Sequence, residues 1–221
     1  MCGRFVCDMP PGIISELFAV SAPADIPRSF NIAPSSRILA VRNLETGNEL
    51  TLLRWGFIPS WAKDSAAAKA IINARSETAQ EKPFFRQALR KRRCIIPANG
   101  FFEWQRAESS KQPYYIRMKL DVIMGLAGVW ECWTSPDGER LETCAILTVS
   151  SNSLIRTIHD RMPVIIRPEN YPLWLDRDIV DPAVIKSLCV ACPEDLLEMY
   201  PVSSLVNNPR NNSSECIARL K

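Results

Sequence analysis

The chain has 221 residues, of which 47% are hydrophobic and 23% are charged, and its formal net charge is +3. This length and composition predict one globular domain with a substantial core. No apolar run approaches the roughly 18 residues that a membrane helix needs, and Asp8, Pro10 and Pro11 interrupt any secretory signal. We therefore expect a cytoplasmic protein, whose small positive charge permits a nucleic-acid partner only if that charge is clustered.

The chain begins Met1-Cys2-Gly3-Arg4, and the small second residue favours removal of the initiator methionine. Cys2 would then carry an α-amine with a pKa of about 7.7 to 8.0 beside a thiol with a pKa near 8.5. An amine and a thiol on adjacent carbons condense with an aldehyde to an imine, which closes to a thiazolidine. The same pair can instead serve an amidase, in which the amine is the base for the thiol. An accidental cysteine is the third interpretation.

Apolar spacing after Gly12 predicts a first helix at residues 13–20. Short β-branched and aromatic segments then predict a β-rich core, with strands at residues 37–42, 51–57, 70–74, 94–96, 114–118, 122–130 and 144–149. A proline at its start and an arginine at its end indicate a helix over residues 83–93. Later helices are expected at residues 153–158, 169–175, 182–189 and 194–199. The polar segment from about residue 207 is expected to be flexible.

The chain has eight cysteines without the spacing of a disulfide framework, which predicts buried thiols in a reducing compartment. Cys189 and Cys192 form the only closely spaced pair. Because a zinc site would need a second pair or nearby histidines, we expect no metal and no cofactor.

Three short motifs contain candidate site residues. Asn73 and Arg75 are two positions apart at a predicted strand end, so both side chains leave one face, to orient a hydroxyl and hold a phosphate. Glu103 lies among aromatic residues, and burial there would raise its pKa and suit it to proton transfer. His159 is the only histidine and can shuttle protons. Each residue also has a structural interpretation. Asn73 would be a turn former and Arg75 a solvated arginine. Glu103 would be a surface carboxylate and His159 a structural imidazole.

The predicted helix at residues 83–93 aligns Arg86, Arg90 and Arg93 along one face. Such a basic stripe can follow a phosphate backbone, although a charged helix face is more often simply solvated. Two interpretations apply to Trp55, Trp61 and Pro34: they are stacking surfaces for unpaired bases, or they belong to the core.

Six motifs occur in order from residue 2 to about residue 208: Met-Cys-Gly-Arg, Asn31-Ile32-Ala33-Pro34, the segment 55–61 (WGFIPSW), the segment 73–77 (NARSE), the segment 97–104 (PANGFFEW) and the segment 158–163 (IHDRMP). Together they resemble the SOS-response-associated peptidase (SRAP) family, to which the abasic-site shields of bacteria and eukaryotes belong. The resemblance implies a single α+β domain over residues 1–221, with a barrel-like, mainly antiparallel β core, peripheral helices and a positively charged cleft for single-stranded DNA.

The resemblance also implies a function. Matured Cys2 would capture the ring-opened aldehyde of an abasic site as a thiazolidine DNA-protein crosslink, shielding the lesion from strand cleavage. Glu103 matches the family's acid/base carboxylate, Asn73 the amide that orients the sugar, and His159 the imidazole beside the lesion. The residues that match DNA contacts are Arg4, Arg75 and Arg161 for phosphates, and Pro34 and Trp61 for stacked bases.

One position departs from the family pattern. Bacterial relatives often carry a second aromatic residue after the position of Trp61, where this chain has Ala62, so the wedge that splays the DNA is expected to be weaker. We expect a monomer in the cytoplasm that associates with the nucleoid when bound to single-stranded DNA. The alternative function is that of an N-terminal-nucleophile cysteine peptidase or amidase acting on other chains.

Overall fold

The computed structural model describes residues 2–63, 71–106 and 111–220. The strands in these ranges are β1 (Phe5–Cys7), β2 (Ser29–Ile32), β3 (Arg37–Leu44), β4 (Gly47–Trp55), β5 (Asn73–Arg75), β6 (Arg93–Ala98), β7 (Gly100–Arg106), β8 (Lys111–Met118), β9 (Met124–Thr134), β10 (Arg140–Ser150), β11 (Arg161–Pro163), β12 (Ile165–Ile166) and β13 (Leu197–Pro201). The α-helices are α1 (Pro11–Phe18), α2 (Ser76–Ala79), α3 (Arg86–Lys91), α4 (Ser153–Arg156), α5 (Tyr171–Leu175) and α6 (Pro182–Leu188). None of these described helices is long and apolar enough to cross a membrane.

Five strands close into a barrel. β3 pairs antiparallel with β4 and β6, and β9 pairs antiparallel with β6 and β10. β10 completes the ring by pairing parallel with β4. A second sheet has the order β13-β8-β7-β1-β2, and the main buried cluster takes side chains from both sheets. The α+β class with a barrel-like, mainly antiparallel core is thereby confirmed.

The register of β1 determines where the N terminus lies. Phe5 pairs with Ile32 of β2 on one side and with Phe101 of β7 on the other. The backbone N–H of Phe102 donates to the carbonyl oxygen of Arg4 at 2.9 Å. Because β1 and β7 are antiparallel, the residues before Arg4 continue alongside the residues after Phe102. The strand pairing therefore brings the start of the chain to the middle of β7.

The region 83–93 differs from the sequence prediction. Only Arg86–Lys91 is helical, and Arg93 begins β6 as a buried residue. The Arg93 guanidinium donates to the carbonyl oxygens of Leu89 and Arg90, both at 2.9 Å, and so caps the last turn of α3. The predicted basic stripe is thus wrong at Arg93, whose charge lies inside the protein.

Two further predictions of secondary structure change. Residues 194–199, expected to be helical, form a short 3-10 turn at Glu194–Leu196 and then β13, which pairs with β8. Pairing with a distant strand overrides the local helical preference there. The strand expected at residues 70–74 overlaps β5, and residue 70 lies outside the described residues.

The segment after about residue 207 is attached to β2. The side-chain amide of Asn31 donates to the carbonyl oxygens of Val206 at 3.3 Å, Asn208 at 3.0 Å and Asn211 at 2.8 Å. Cys216 is fully buried in a small second core. The flexibility expected for this segment stays a prediction, and these contacts are what would oppose it.

Candidate active site

Cys2 lies in the core next to the second sheet. Its side chain is 0% exposed in the chain that still carries Met1, a residue outside the described ranges. Burial raises the pKa of the Cys2 thiol far above its usual range, and the charge of Glu103 raises it further. Its nitrogen is in the peptide bond to Met1. The unprocessed chain therefore holds Cys2 as a protonated, enclosed thiol without a free amine. Capture of an aldehyde needs a free amine and an accessible thiol.

Asn73 contacts the backbone of Cys2 directly. Its Nδ2 donates to the carbonyl oxygen of Cys2 at 2.9 Å, because β5 pairs parallel with β10 and places Asn73 opposite Ile146. Its Oδ1 is buried and has no hydrogen-bond partner among the described residues. A buried acceptor of this kind costs free energy unless it is satisfied. The geometry of Asn73 thus offers an acceptor for an N–H or O–H group beside Cys2.

Glu103 is a buried carboxyl and not a surface one, since only 3% of it is exposed. It lies in the middle of β7, where its β8 partner is Tyr114. Burial raises the pKa of Glu103 above its usual range, while the nearby His159 partly offsets that rise. The register of β1 on β7 brings the start of the chain next to Glu103, whose charge acts on the Cys2 thiol, and His159 in turn acts on Glu103.

His159 follows α4, and two hydrogen bonds hold its backbone. Its N–H donates to the carbonyl oxygen of Ile155 at 2.9 Å, and its carbonyl oxygen accepts from Ser151 Oγ at 2.8 Å. The N–H of Arg161 donates to His159 Nδ1 at 2.9 Å, with Asp160 Oδ1 3.1 Å from the same atom. The carbonyl oxygen of Arg161 lies 3.2 Å from Nδ1 as well, so this ring nitrogen faces one N–H donor and two oxygen acceptors.

Three of the predicted DNA contacts lie at the surface. Arg75 is exposed at the end of β5, and Pro34 is half-buried in the loop after β2. Trp61 is 60% exposed. Its ring makes an edge-on contact with the ring of Phe84, with the ring centroids 4.9 Å apart. Ala62, next to it, packs at the surface of a small cluster, and its carbonyl oxygen accepts from Trp133 Nε1 at 2.7 Å.

The other two predicted phosphate contacts are engaged within the protein. Arg4 Nη1 donates to Asn31 Oδ1 at 2.7 Å and to the carbonyl oxygen of Val206 at 2.8 Å, and burial lowers the pKa of Arg4. Arg161 is 8% exposed and forms two hydrogen bonds to Glu77, at 2.6 and 2.8 Å. Direct contact of either residue with DNA phosphate stays a prediction.

The stacking surface considered at Trp55 is wrong. Its side chain is fully buried, and its Nε1 donates to the carbonyl oxygen of Ile72 at 2.9 Å, directly before Asn73. Trp55 therefore helps to position Asn73, by holding the backbone of the residue before it. Sequence reasoning also missed Glu77, the partner of Arg161, and the role of Asn31 in fixing Arg4. Both belong to the quoted motifs, but nothing in a linear pattern names their partners.

No metal site accompanies these groups among the described residues, since no three His, Cys, Asp or Glu side chains there are arranged to hold an ion. The arrangement instead combines a thiol, an amide, a buried carboxyl and an imidazole. Such a set can orient a carbonyl compound and move protons to and from it.

Comparison with known proteins gives the family. The model of the family described as SOS response associated peptidase (SRAP) matches residues 1–209. The chain belongs to the SRAP family. The match contains every residue of the candidate site described above.

Several relatives of the chain have descriptive names. Abasic site processing protein YoqW of Bacillus subtilis (strain 168) is 44% identical over 221 residues, which cover 98% of this chain and 99% of YoqW. Abasic site processing protein HMCES of Mus musculus is 32% identical over 269 residues, covering 99% of this chain and 76% of HMCES. A crystal structure of a protein from Bacteroides thetaiotaomicron superposes with a TM-score of 0.90 at 26% identity, covering 100% of both chains.

Proposed function

We propose that this SRAP protein captures abasic sites in single-stranded DNA covalently through matured Cys2, and thereby shields the lesion from strand cleavage. The observation that carries the proposal is the hydrogen bond from Asn73 Nδ2 to the carbonyl of Cys2, beside the buried carboxyl of Glu103. The names of the relatives, which specify abasic site processing, support the choice of substrate.

The proposed reaction has two bond-forming steps. Removal of Met1 frees the amine of Cys2, which attacks the aldehyde of the ring-opened sugar and gives an imine with loss of one water. The Cys2 sulfur then bonds to the imine carbon while the thiol proton passes to the nitrogen, which closes a five-membered thiazolidine. The balance is one water released, and the steps require no oxidant, reductant or cofactor.

The surrounding groups serve the proton transfers. With its raised pKa, Glu103 remains protonated at a higher pH than a solvated glutamate, so it can protonate the oxygen that leaves as water. The resulting carboxylate can then accept the proton of the Cys2 thiol, which burial makes hard to ionise. His159 tunes the charge of Glu103, and the open acceptor of Asn73 can orient the amine or a sugar hydroxyl.

The burial of Cys2 makes maturation the step that enables this chemistry. In the unprocessed chain the thiol is enclosed and the nitrogen is acylated, so neither bond can form. We propose that loss of Met1 supplies the amine that the first bond requires. Protein with Met1 retained should therefore resist both a thiol-alkylating reagent at Cys2 and abasic DNA, as read by intact mass.

Three surface residues are the proposed contacts for the strand. Arg75 can hold a phosphate beside Asn73, while Trp61 and Pro34 can stack flanking bases. Arg4 and Arg161 each keep a buried Nε without a partner among the described residues, and a phosphate would reach that donor only if the side chain became exposed. All four groups of the proposed chemistry come from one chain, so a monomer suffices.

The deciding experiment mixes matured protein with a single-stranded oligonucleotide that contains one abasic site. We expect a heat-stable adduct whose mass is the sum of the components less one water. Cys2→Ala keeps the amine, so it should give an imine that borohydride traps, no heat-stable adduct, and more strand cleavage by β-elimination. Cys132→Ala, at a partly exposed cysteine, is the matched control and should behave as wild type. Durable crosslinking by Cys2→Ala would refute the thiazolidine.

A second candidate function is hydrolysis of peptide bonds in other chains by Cys2, which the word peptidase in the family description favours. It uses the amine of Cys2 as base for the thiol. Turnover of peptide pools that Cys2→Ala abolishes, by a protein that forms no adduct with abasic DNA, would establish this function in place of the first.

A further inference from the structure

A cleft with a volume of about 530 Å³ lies on the outer surface of the barrel, and we call it the arginine cleft. Its lining includes Ser35, Arg37, Leu52, Arg54, Arg140 and Glu142. Neither the motifs nor the chemistry described above uses any of its arginines.

The fold brings these arginines together from three strands. Arg37 and Arg54 are directly paired across β3 and β4, so their side chains leave the same face of the sheet. β10 runs parallel to β4 with Thr143 beside Arg54, and Arg140, three residues before Thr143, lines the same cleft. Like charges paired across strands destabilise a sheet. The pairing of Arg37 with Arg54 therefore costs free energy that a bound anion would offset.

The carboxylate in the lining, Glu142, offsets this charge only in part, through its electrostatic effect on Arg140. None of the three arginines forms an ion pair within the described ranges, and Glu142, the acidic residue of the lining, bonds to Arg42 at 2.7 Å instead. Arg140 Nε has only a weak contact with Cys132 Sγ at 3.4 Å. The guanidinium groups thus keep most of their donors for a ligand.

Hydrogen bonds through the buried Trp55 link the backbone of the arginine cleft to that of the candidate active site. Ser35, which lines it, follows Pro34 and donates its N–H to the carbonyl oxygen of Trp55 at 2.8 Å. Trp55 in turn follows Arg54 and donates through Nε1 to the carbonyl of Ile72, the residue before Asn73. Two consecutive hydrogen-bonded contacts therefore connect the cleft to the residue that holds Cys2.

We propose that the arginine cleft binds backbone phosphates of the single strand that flanks the abasic nucleotide. The identity of the strand rests on the proposed function. Arginine donates to phosphate oxygens in a bidentate manner, and the lining has no aromatic ring on which a base could stack. The contact is therefore with the backbone and independent of base sequence.

Noncovalent binding of lesion-free single-stranded oligonucleotides at several salt concentrations tests this proposal. For single strands, each phosphate contact contributes about 0.7 to the slope of log K against log salt. The double variant Arg54→Gln/Arg140→Gln should lose about 0.7 to 1.4 of that slope. Arg167→Gln is the control, since Arg167 is an exposed arginine that lines a separate apolar groove, and its slope should match wild type. Thermal unfolding checks that each variant is folded.

Trimming the oligonucleotide locates the contact along the strand. Nucleotides are removed from either the 5′ or the 3′ side of a central abasic site. Trimming one of the two sides should weaken the binding of wild type, and trimming the other should not. The double variant should not respond to trimming on the side to which wild type responds. If the slope and the response to trimming equal those of wild type, the proposal is wrong. Weakened binding of polyglutamate with unchanged binding of DNA would likewise overturn it, in favour of an acidic protein segment.

The covalent assay separates this proposal from the proposed function. A wild-type adduct together with unchanged slopes in the double variant refutes the arginine cleft and leaves Cys2 capture standing. Reduced slopes without any wild-type adduct refute capture and support the cleft as a site for single-stranded DNA.

Discussion

Replacing Glu103 by glutamine tests the proposed proton transfer most directly. Glutamine fills almost the same volume, so the core around this 3%-exposed side chain should remain packed. The substitution removes the ability to give or take a proton but keeps the polar atoms. Any loss of capture then reports on chemistry and not on the fold.

The expected size of the effect follows from the role assigned to the side chain. A positioned general acid or base contributes about 10²- to 10⁴-fold to a rate, which corresponds to about 2.7 to 5.5 kcal/mol in the barrier. Because the charge of Glu103 helps to raise the pKa of the Cys2 thiol, the variant's thiol should ionise more easily. The rate at which matured Cys2 is alkylated should thus be unchanged or higher in the variant, while its capture of abasic DNA slows.

The assay is a time course of adduct formation on denaturing gels between pH 5 and 9. Wild type needs a protonated acid and a free amine together, so its rate should pass through a maximum with pH. The glutamine variant should instead rise steadily as the amine deprotonates, near its ordinary pKa of about 7.7 to 8.0. Equal rates, or a maximum retained in the variant, would refute the assignment of Glu103.

Stability provides an independent test of the same carboxyl. Burial raises the pKa of Glu103, so the folded state binds this proton more tightly than the unfolded state does. Stability from this group is therefore full at low pH and is lost as pH rises through the raised pKa. Glu103→Gln should raise Tm more at pH 8 than at pH 5. A gain that is equal at both values would contradict the burial-induced shift.

Three further substitutions test the supporting structure. Asn31→Ala leaves the carbonyls of the C-terminal segment without their donor, so it should cost about 1 to 3 kcal/mol and speed amide exchange over residues 205–212. Gly100→Ala would place Cβ 2.4 Å from the carbonyl oxygen of Ile116, and urea unfolding should show a loss of about 1 to 3 kcal/mol. Arg161 lowers the pKa of Glu77, which gives stability that is lost as pH falls through the folded pKa; Arg161→Met should remove this acid-side dependence of Tm.

Matched controls accompany these three changes. Asn43→Ala removes an exposed side-chain contact with Asn48 and should leave exchange over residues 205–212 unchanged. Gly12→Ala adds a methyl group with nothing within 4 Å and should be tolerated, so equal losses at Gly12 and Gly100 would contradict the steric argument. Glu77→Gln should flatten the acid-side dependence as Arg161→Met does, and an unchanged pH profile in both variants would exclude their ion pair as its source.

Local patterns predicted most of the barrel. Strands β3, β4, β6, β8, β9 and β10 overlap the segments chosen for β-branched and aromatic content, because these residues suit a half-buried sheet wherever it lies. The failures lie where long-range pairing decides. The segment that forms β13 has a local helical pattern, and only its pairing with β8 makes it a strand. β1 has three residues and is too short to show the alternation of a strand.

The candidate site divides in a similar way. The sequence named Cys2, Asn73, Glu103 and His159, and the structure brings these four together. It did not predict that Cys2 is enclosed before maturation, nor that Arg161 is paired with Glu77. Burial and ion pairing depend on the neighbours that a side chain acquires from distant segments. A linear pattern does not contain that information.

The sequence by itself determined the reactive groups, because an aminothiol, a carboxyl and an imidazole have their chemistry wherever they are placed. Only the tertiary structure decided how they act together, because the pairing of β1 with β7 brings the start of the chain next to Glu103. It also decided which arginines are structural and which remain available. Arg93 caps a helix inside the protein, whereas Arg37 and Arg54 meet at its surface because two strands align there.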